Sequence, residues 1–172
     1  EQFRKAVSLI NNARKIYILG VRSSASLASF LYFYLNPVFE NVVLVDTSSG
    51  SEMFEQMFRI NENDVCVAIS FPRYSKQTIN ALRFINDRGT NIIAITDSAV
   101  SPIAEFSETV LVAKSDMVSV VDSLVAPLSL INALIVALTF SRREEVYNNF
   151  NKLESIWDEY QVYDKSDGGE NE

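Results

Sequence analysis

Two short polar loops hold the residues best suited to chemistry. One reads Ser70-Phe71-Pro72-Arg73-Tyr74-Ser75, the other Gly20-Val21-Arg22-Ser23-Ser24. Hydroxyl and guanidinium groups donate hydrogen bonds to anions, and an arginine can grip a carboxylate or phosphate through two parallel bonds. Each loop follows an apolar run and precedes a stretch of helical spacing. Free backbone N–H groups and the positive end of a helix therefore face the same place as the side chains. Thr78, one turn into the second of those helices, adds a further hydroxyl. Arg22, Ser23, Ser24, Ser70, Arg73, Tyr74, Ser75 and Thr78 make up the candidate binding set for a small anion. Plainer roles compete with this one. Serines after a strand cap helices, arginines pair with acidic neighbours or face solvent, and Tyr74 serves equally as a surface or interface residue.

The composition removes several alternatives. The 172 residues include no histidine, which excludes Ser-His-Asp and Cys-His catalysis and any histidine-ligated metal. The one cysteine, Cys66, offers no disulfide or cysteine-based zinc site within a chain and reads as a small core hydrophobe. No cofactor or metal is expected. A net charge of −7 argues against the domain itself gripping nucleic acid or an acidic membrane. With 48% apolar residues the chain is expected to form one domain over 1–163, followed by an acidic disordered tail at 164–172. The apolar run 124–140 is shorter than the roughly 20 residues a membrane span needs and is interrupted by Pro127, Ser129 and Asn132. With no membrane segment and no visible signal peptide, a cytoplasmic location is expected. The start at Glu1 without methionine suggests an excised domain or a processed product.

The elements that must position the two loops follow from apolar periodicity. Strands are predicted at 15–19, 42–45, 65–69, 91–96 and 109–113. Helices are predicted at 2–13, 27–35 and 53–58, from an N-cap at Ser75 to a stop at Gly89, briefly at 103–106, at 124–140, and from 142 onward. In the last helix Val146, Phe150, Leu153, Trp157 and Tyr160 recur at alternating four and three, a coiled-coil type of seam. It packs either on its own domain or on a second copy. Five short apolar strands alternating with helices predict an α/β fold: a five-stranded parallel sheet of order 2-1-3-4-5, helices on both faces, a flavodoxin-like three-layer sandwich. The switch point of that order lies between strands one and three, beside the two polar loops.

With those loops placed, the chain resembles the SIS (sugar isomerase) domain, and more closely the effector-binding domain of RpiR-type bacterial transcriptional regulators, over residues 1–163. The family's first loop usually reads Gly-x-Gly-x-Ser. Here Gly20 and Ser24 match, and Arg22 stands at the second glycine. Its second loop usually reads Ser-x-Ser-Gly-x-Thr. Here Ser70 matches, Ser75 stands for the threonine, and Pro72-Arg73 replaces the Ser-Gly pair. Asp122-Ser123-Leu124-Val125-Ala126-Pro127 and Leu153-Glu154-Ser155-Ile156-Trp157 look like the carboxyl half of one RpiR-type subgroup. The resemblance implies a phosphosugar-sensing module that forms a homodimer or tetramer and controls an amino-terminal helix-turn-helix domain. That head is not present in this chain, and DNA would be met only through it. Asp122 either hydrogen-bonds a sugar hydroxyl or caps the following helix. The rival reading is an aldose–ketose phosphosugar isomerase. Family isomerases often use a histidine to open the ring, and this chain has none; Asp116 and Asp122 are the only carboxylates in the link before the long apolar helix. A ligand-free dimerisation module is the third reading.

Overall fold

The computed structural model describes residues 1–115 and 123–163. Five strands, β1 (Ile16–Gly20), β2 (Val42–Leu44), β3 (Val65–Ile69), β4 (Asn91–Thr96) and β5 (Thr109–Val112), form one parallel sheet of order β2-β1-β3-β4-β5. Every residue of β1 and β3 is buried, as expected of strands covered on both faces. β2 is half-buried throughout because it lies at the sheet edge, not fully buried as its apolar run suggests.

The sheet separates two cores. On one side Ile16, Ile18, Val65, Val67, Ile69, Ile93 and Ile95 pack with the apolar faces of α1 (Gln2–Asn12), α2 (Ser24–Leu35) and α5 (Val125–Ser141). On the other, Tyr17, Leu19, Cys66, Ala68, Ile92 and Ala94 pack with α3 (Gly50–Met57) and α4 (Lys76–Asn86). Alternate residues of one strand thus feed opposite layers, which yields the three-layer sandwich. Cys66 is fully buried, and burial pushes its thiol up to about 12, as suits a core residue.

Two features of this frame bear on the site. The register pairs Gly20 with Ile69, so the loops after β1 and β3 leave the sheet side by side. Gly20 also lets α2 approach closely: a Cβ there would sit 2.4 Å from the Ser24 carbonyl oxygen and 2.8 Å from the Ala28 Cβ. Any side chain would push the start of α2 off the sheet.

The remaining elements follow the sequence with shifted ends. α2 starts at Ser24, three residues before the apolar spacing begins, and α3 starts at Gly50 instead of residue 53. α4 ends at Asn86, and Gly89 takes its left-handed backbone (φ 70°) just beyond, where its N–H meets the Asn86 carbonyl. α5 and α6 (Arg143–Glu159) are separate helices, bent by 96° at the break. Among the described residues no single helix is long and apolar enough to cross a membrane. α6 has no fully buried residue. Asp116, Asp122 and the tail 164–172 lie outside the described residues.

Candidate functional site

The loops after β1 and β3 face each other across a cleft of about 530 Å³, within the range of small-molecule sites. Seven of the eight candidate residues line it: Arg22, Ser23, Ser24, Ser70, Arg73, Tyr74 and Ser75. Lys76 and backbone-adjacent Val21, Phe71 and Pro72 complete the wall. Thr78 does not line the cleft. It is fully buried in the first turn of α4, and its hydroxyl has no partner among the described residues. Three residues past the N-cap, the helix has already turned that side chain inward.

The hydroxyls divide into engaged and free. Ser75 is the N-cap of α4, its Oγ accepting the Gln77 N–H at 3.2 Å, so sequence and structure agree on its capping role. Ser23 occupies the N-cap of α2 without a side-chain cap bond, and the first N–H groups of that helix, on Ser24 and Ala25, donate instead to the Val21 and Arg22 carbonyls at 3.3 and 3.0 Å. Ser24 and Ser70 are only 5% and 4% exposed, line the cleft, and hydrogen-bond through their side chains to none of the described residues. Neither hydroxyl is among the buried polar atoms left without a partner, so both open on the cleft, where they have donors that no described residue uses.

Tyr74 has a partner the sequence did not disclose. Its hydroxyl donates to Asp97 Oδ1 at 2.5 Å, and the same oxygen accepts from Thr96 Oγ1 at 3.2 Å. Burial first, then the hydrogen bond to Asp97, pushes the phenol up to about 12. The ring therefore stays protonated and ties the β3 loop to the end of β4. Gln77 fixes the opposite flank, donating to the Thr47 carbonyl at 3.2 Å, while Thr47 Oγ1 reaches the Gly20 carbonyl at 3.4 Å. Asp97 and Gln77 belong to the site as positioning residues. The only sequence signal for Asp97 is an acid directly after a strand at the carboxyl edge of the sheet.

Arg22, Arg73 and Lys76 bring three positive charges to a chain of net charge −7, and among the described residues no Asp or Glu lines the cleft. None of the three makes an ion pair among the described residues. Two hollows of similar size, about 490 and 560 Å³, differ on this point. In one, Arg14 holds the buried Asp64 at 2.7 Å; in the other, Arg142 is paired with Glu145 at 3.1 Å. The cleft at the switch point combines unpaired cations, unpartnered hydroxyls and two helix N-termini. What it can do chemically is hold an anion bearing hydroxyl groups. No cluster of potential metal ligands occurs among the described residues.

A parallel sheet of this order, with serine-bearing loops at its switch point, defines a sugar-isomerase type of α/β domain. The chain belongs to the SIS domain family, whose profile matches residues 9–137. An uncharacterized HTH-type transcriptional regulator of Haemophilus influenzae is 28% identical over 113 residues, 65% of this chain and 38% of that protein. A second uncharacterized HTH-type regulator, from Clostridium perfringens, is 29% identical over 105 residues, 60% of this chain and 37% of its own length. The chain thus spans about two fifths of the length of these relatives. Among solved structures, the sugar isomerase domain of an RpiR transcription factor from Sphaerobacter thermophilus superposes with a TM-score of 0.84 at 27% identity, covering 90% of this chain and 86% of that one. The Vibrio vulnificus NanR protein, solved with ManNAc-6P, shares the fold with a TM-score of 0.77 at 18% identity, over 91% of this chain and 60% of that one.

Proposed function

We propose that this domain is the effector-sensing part of an RpiR-type transcriptional regulator, and that a small anionic sugar derivative binds in the switch-point cleft. The observation that carries the reading is the pair Ser24 and Ser70: two nearly buried residues whose hydroxyls open on one cleft, beside Arg22 and Arg73, and none of these four side chains has a partner among the described residues. Arg22 and Arg73, one on each loop, supply cations to the ligand's acidic part, the serine hydroxyls add donors, and Tyr74 holds the loop in place. A structural relative solved with a sugar phosphate, the NanR protein with ManNAc-6P, supports the ligand class. The HTH-type relatives support a regulatory role for the longer protein.

Binding changes the output only where ligand prefers one arrangement of subunits over another. Val146 at the start of α6 packs on the chain's own core, while the exposed Phe150 and half-buried Leu153 and Trp157 beyond it supply an apolar surface for a second copy, so we place the homodimer contact there. The isomerase reading is weaker on chemistry. Shifting a carbonyl along a sugar requires a group that takes and returns a proton. The chain has no histidine, no carboxylate among the described residues lines the cleft, and Tyr74 holds its proton to about pH 12.

A thermal-shift screen with hexose, pentose and amino-sugar phosphates tests the sensor reading: at least one should raise the melting temperature in proportion to the logarithm of its concentration. No stabilisation by any of them would leave a ligand-free dimerisation module. Turnover of any of these sugars, followed by NMR, would replace the sensor with the isomerase.

A further inference from the structure

We infer that the effector carries a second acidic group, a carboxylate or a second phosphoryl group, besides its phosphate, and that Arg22 receives it. This rests on the anion-binding reading of the cleft given above. The starting point is the backbone of Arg22, which lies in the left-handed region at φ 59°. Glycine adopts that conformation freely, and a residue with a side chain does so at a cost. Such a conformation persists where the side chain serves a purpose. The guanidinium it presents lines the cleft and has neither an ion pair nor a hydrogen bond among the described residues.

The two sides of the cleft are also unequal. Arg73 and Lys76 stand together at the start of α4, whereas Arg22 stands alone on the other loop. A phosphate monoester carries about −1.5 to −2 charges, which Arg73 and Lys76 balance between them. Arg22 is then left over. Asp97, behind Tyr74, is occupied by Tyr74 and Thr96 and does not line the cleft. A neutral polyol tail would offer Arg22 only hydroxyl acceptors, which offset the desolvation of its charge less well than an anion does. The Ser24 and Ala25 N–H groups are already taken by the Val21 and Arg22 carbonyls. Beside Arg22 the same loop supplies the Ser24 hydroxyl, which bonds to none of the described residues. Together the guanidinium and this hydroxyl form a donor set for a second anion.

Calorimetric titrations of the whole chain at constant salt test this with matched probes: glucose 6-phosphate against 6-phosphogluconate, and fructose 6-phosphate against fructose 1,6-bisphosphate. At least one doubly acidic member should bind about tenfold or more tightly than its partner, the scale of one charge-assisted hydrogen bond. Which pair shows it separates a carboxylate from a second phosphoryl group. Arg22→Gln and Arg22→Gly should both bring the doubly acidic member to within about threefold of its monophosphate partner, less than one such bond is worth. The glycine variant suits the left-handed backbone and so guards against misfolding. Arg73→Gln should weaken all the phosphates that bind. Monophosphates binding as tightly as their doubly acidic partners, or a preference surviving both Arg22 variants, overturns the inference and leaves the cleft reading standing. Failure of all four probes to bind overturns both.

Discussion

The Tyr74 hydroxyl donates to Asp97 Oδ1 at 2.5 Å across 23 residues of sequence, fastening the loop after β3 to the end of β4. That bond holds one wall of the cleft in place before any ligand arrives. The phenol titrates near 10.0 when free and is pushed up to about 12 in the fold. The folded protein therefore binds this proton more tightly than the unfolded chain does. The stabilisation is complete below about pH 10 and is lost as pH rises from 10 towards 12. An ultraviolet titration, taken as the difference between wild type and Tyr74→Phe, should show one tyrosine ionising near pH 12. Asp97→Asn should lower that value while leaving the part due to burial. A difference curve centred near pH 10.0 would mean the bond does not form.

Arg22 couples stability to binding with opposite signs. Its left-handed backbone at φ 59° costs about 1–2 kcal/mol, which glycine avoids, less about 0.5–1 kcal/mol for the greater freedom of glycine when unfolded. Arg22→Gly should therefore raise the melting temperature by a few degrees, at roughly 2–4 °C per kcal/mol for a chain of this size. The same variant should lose affinity for a doubly acidic ligand. A variant that is less stable than wild type would show that the guanidinium serves the fold.

Gly20 makes the contrasting case, since its lack of a side chain sets where Ser24 stands. With 2.4 Å between a hypothetical Cβ and the Ser24 carbonyl oxygen, Gly20→Ala should cost about 1–3 kcal/mol in overpacking. Both the melting temperature and phosphosugar affinity should fall, because α2 moves and takes its first turn with it. Thermal melting and calorimetry on one preparation check the two effects. Wild-type affinity in a destabilised Gly20→Ala protein would remove Ser24 from the site.

On α6, Val146, Leu153 and Trp157 are half-buried and Phe150 is exposed in the single chain. Light scattering should find a dimer for the wild type and a monomer for Leu153→Asp or Trp157→Asp, with the circular dichroism of the sheet and core helices retained. A dimer that survives both changes would place the subunit contact elsewhere.

Much of this architecture can be read from sequence because burial on both faces leaves a plain signature. β3 and β4 have the limits their apolar runs suggest, Val65–Ile69 and Asn91–Thr96. The start of α2 is hidden because Ser24 lines the cleft, so the apolar spacing begins only at Leu27. Edge position is equally silent, and the half-buried state of β2 depends on a neighbour that the run Val42–Leu44 cannot name. Ser24, Ser70 and the two arginines were legible from residue type and from the strand order that brings their loops together. The Tyr74–Asp97 bond was not, because it joins separate strands. Thr78 lies outside the cleft lining, and hydroxyl chemistry says nothing of which way a helix turns.

The most direct test is to titrate hexose, pentose and amino-sugar phosphates into 15N-labelled protein and map the amides that move. The cleft account predicts saturable shifts concentrated at residues 22–24 and 70–76, with Ser24→Ala/Ser70→Ala weakening the response about tenfold or more, the scale of two lost hydrogen bonds. Shifts centred on the hollow around Arg14 and Asp64, or equal affinity in the double variant, would contradict it.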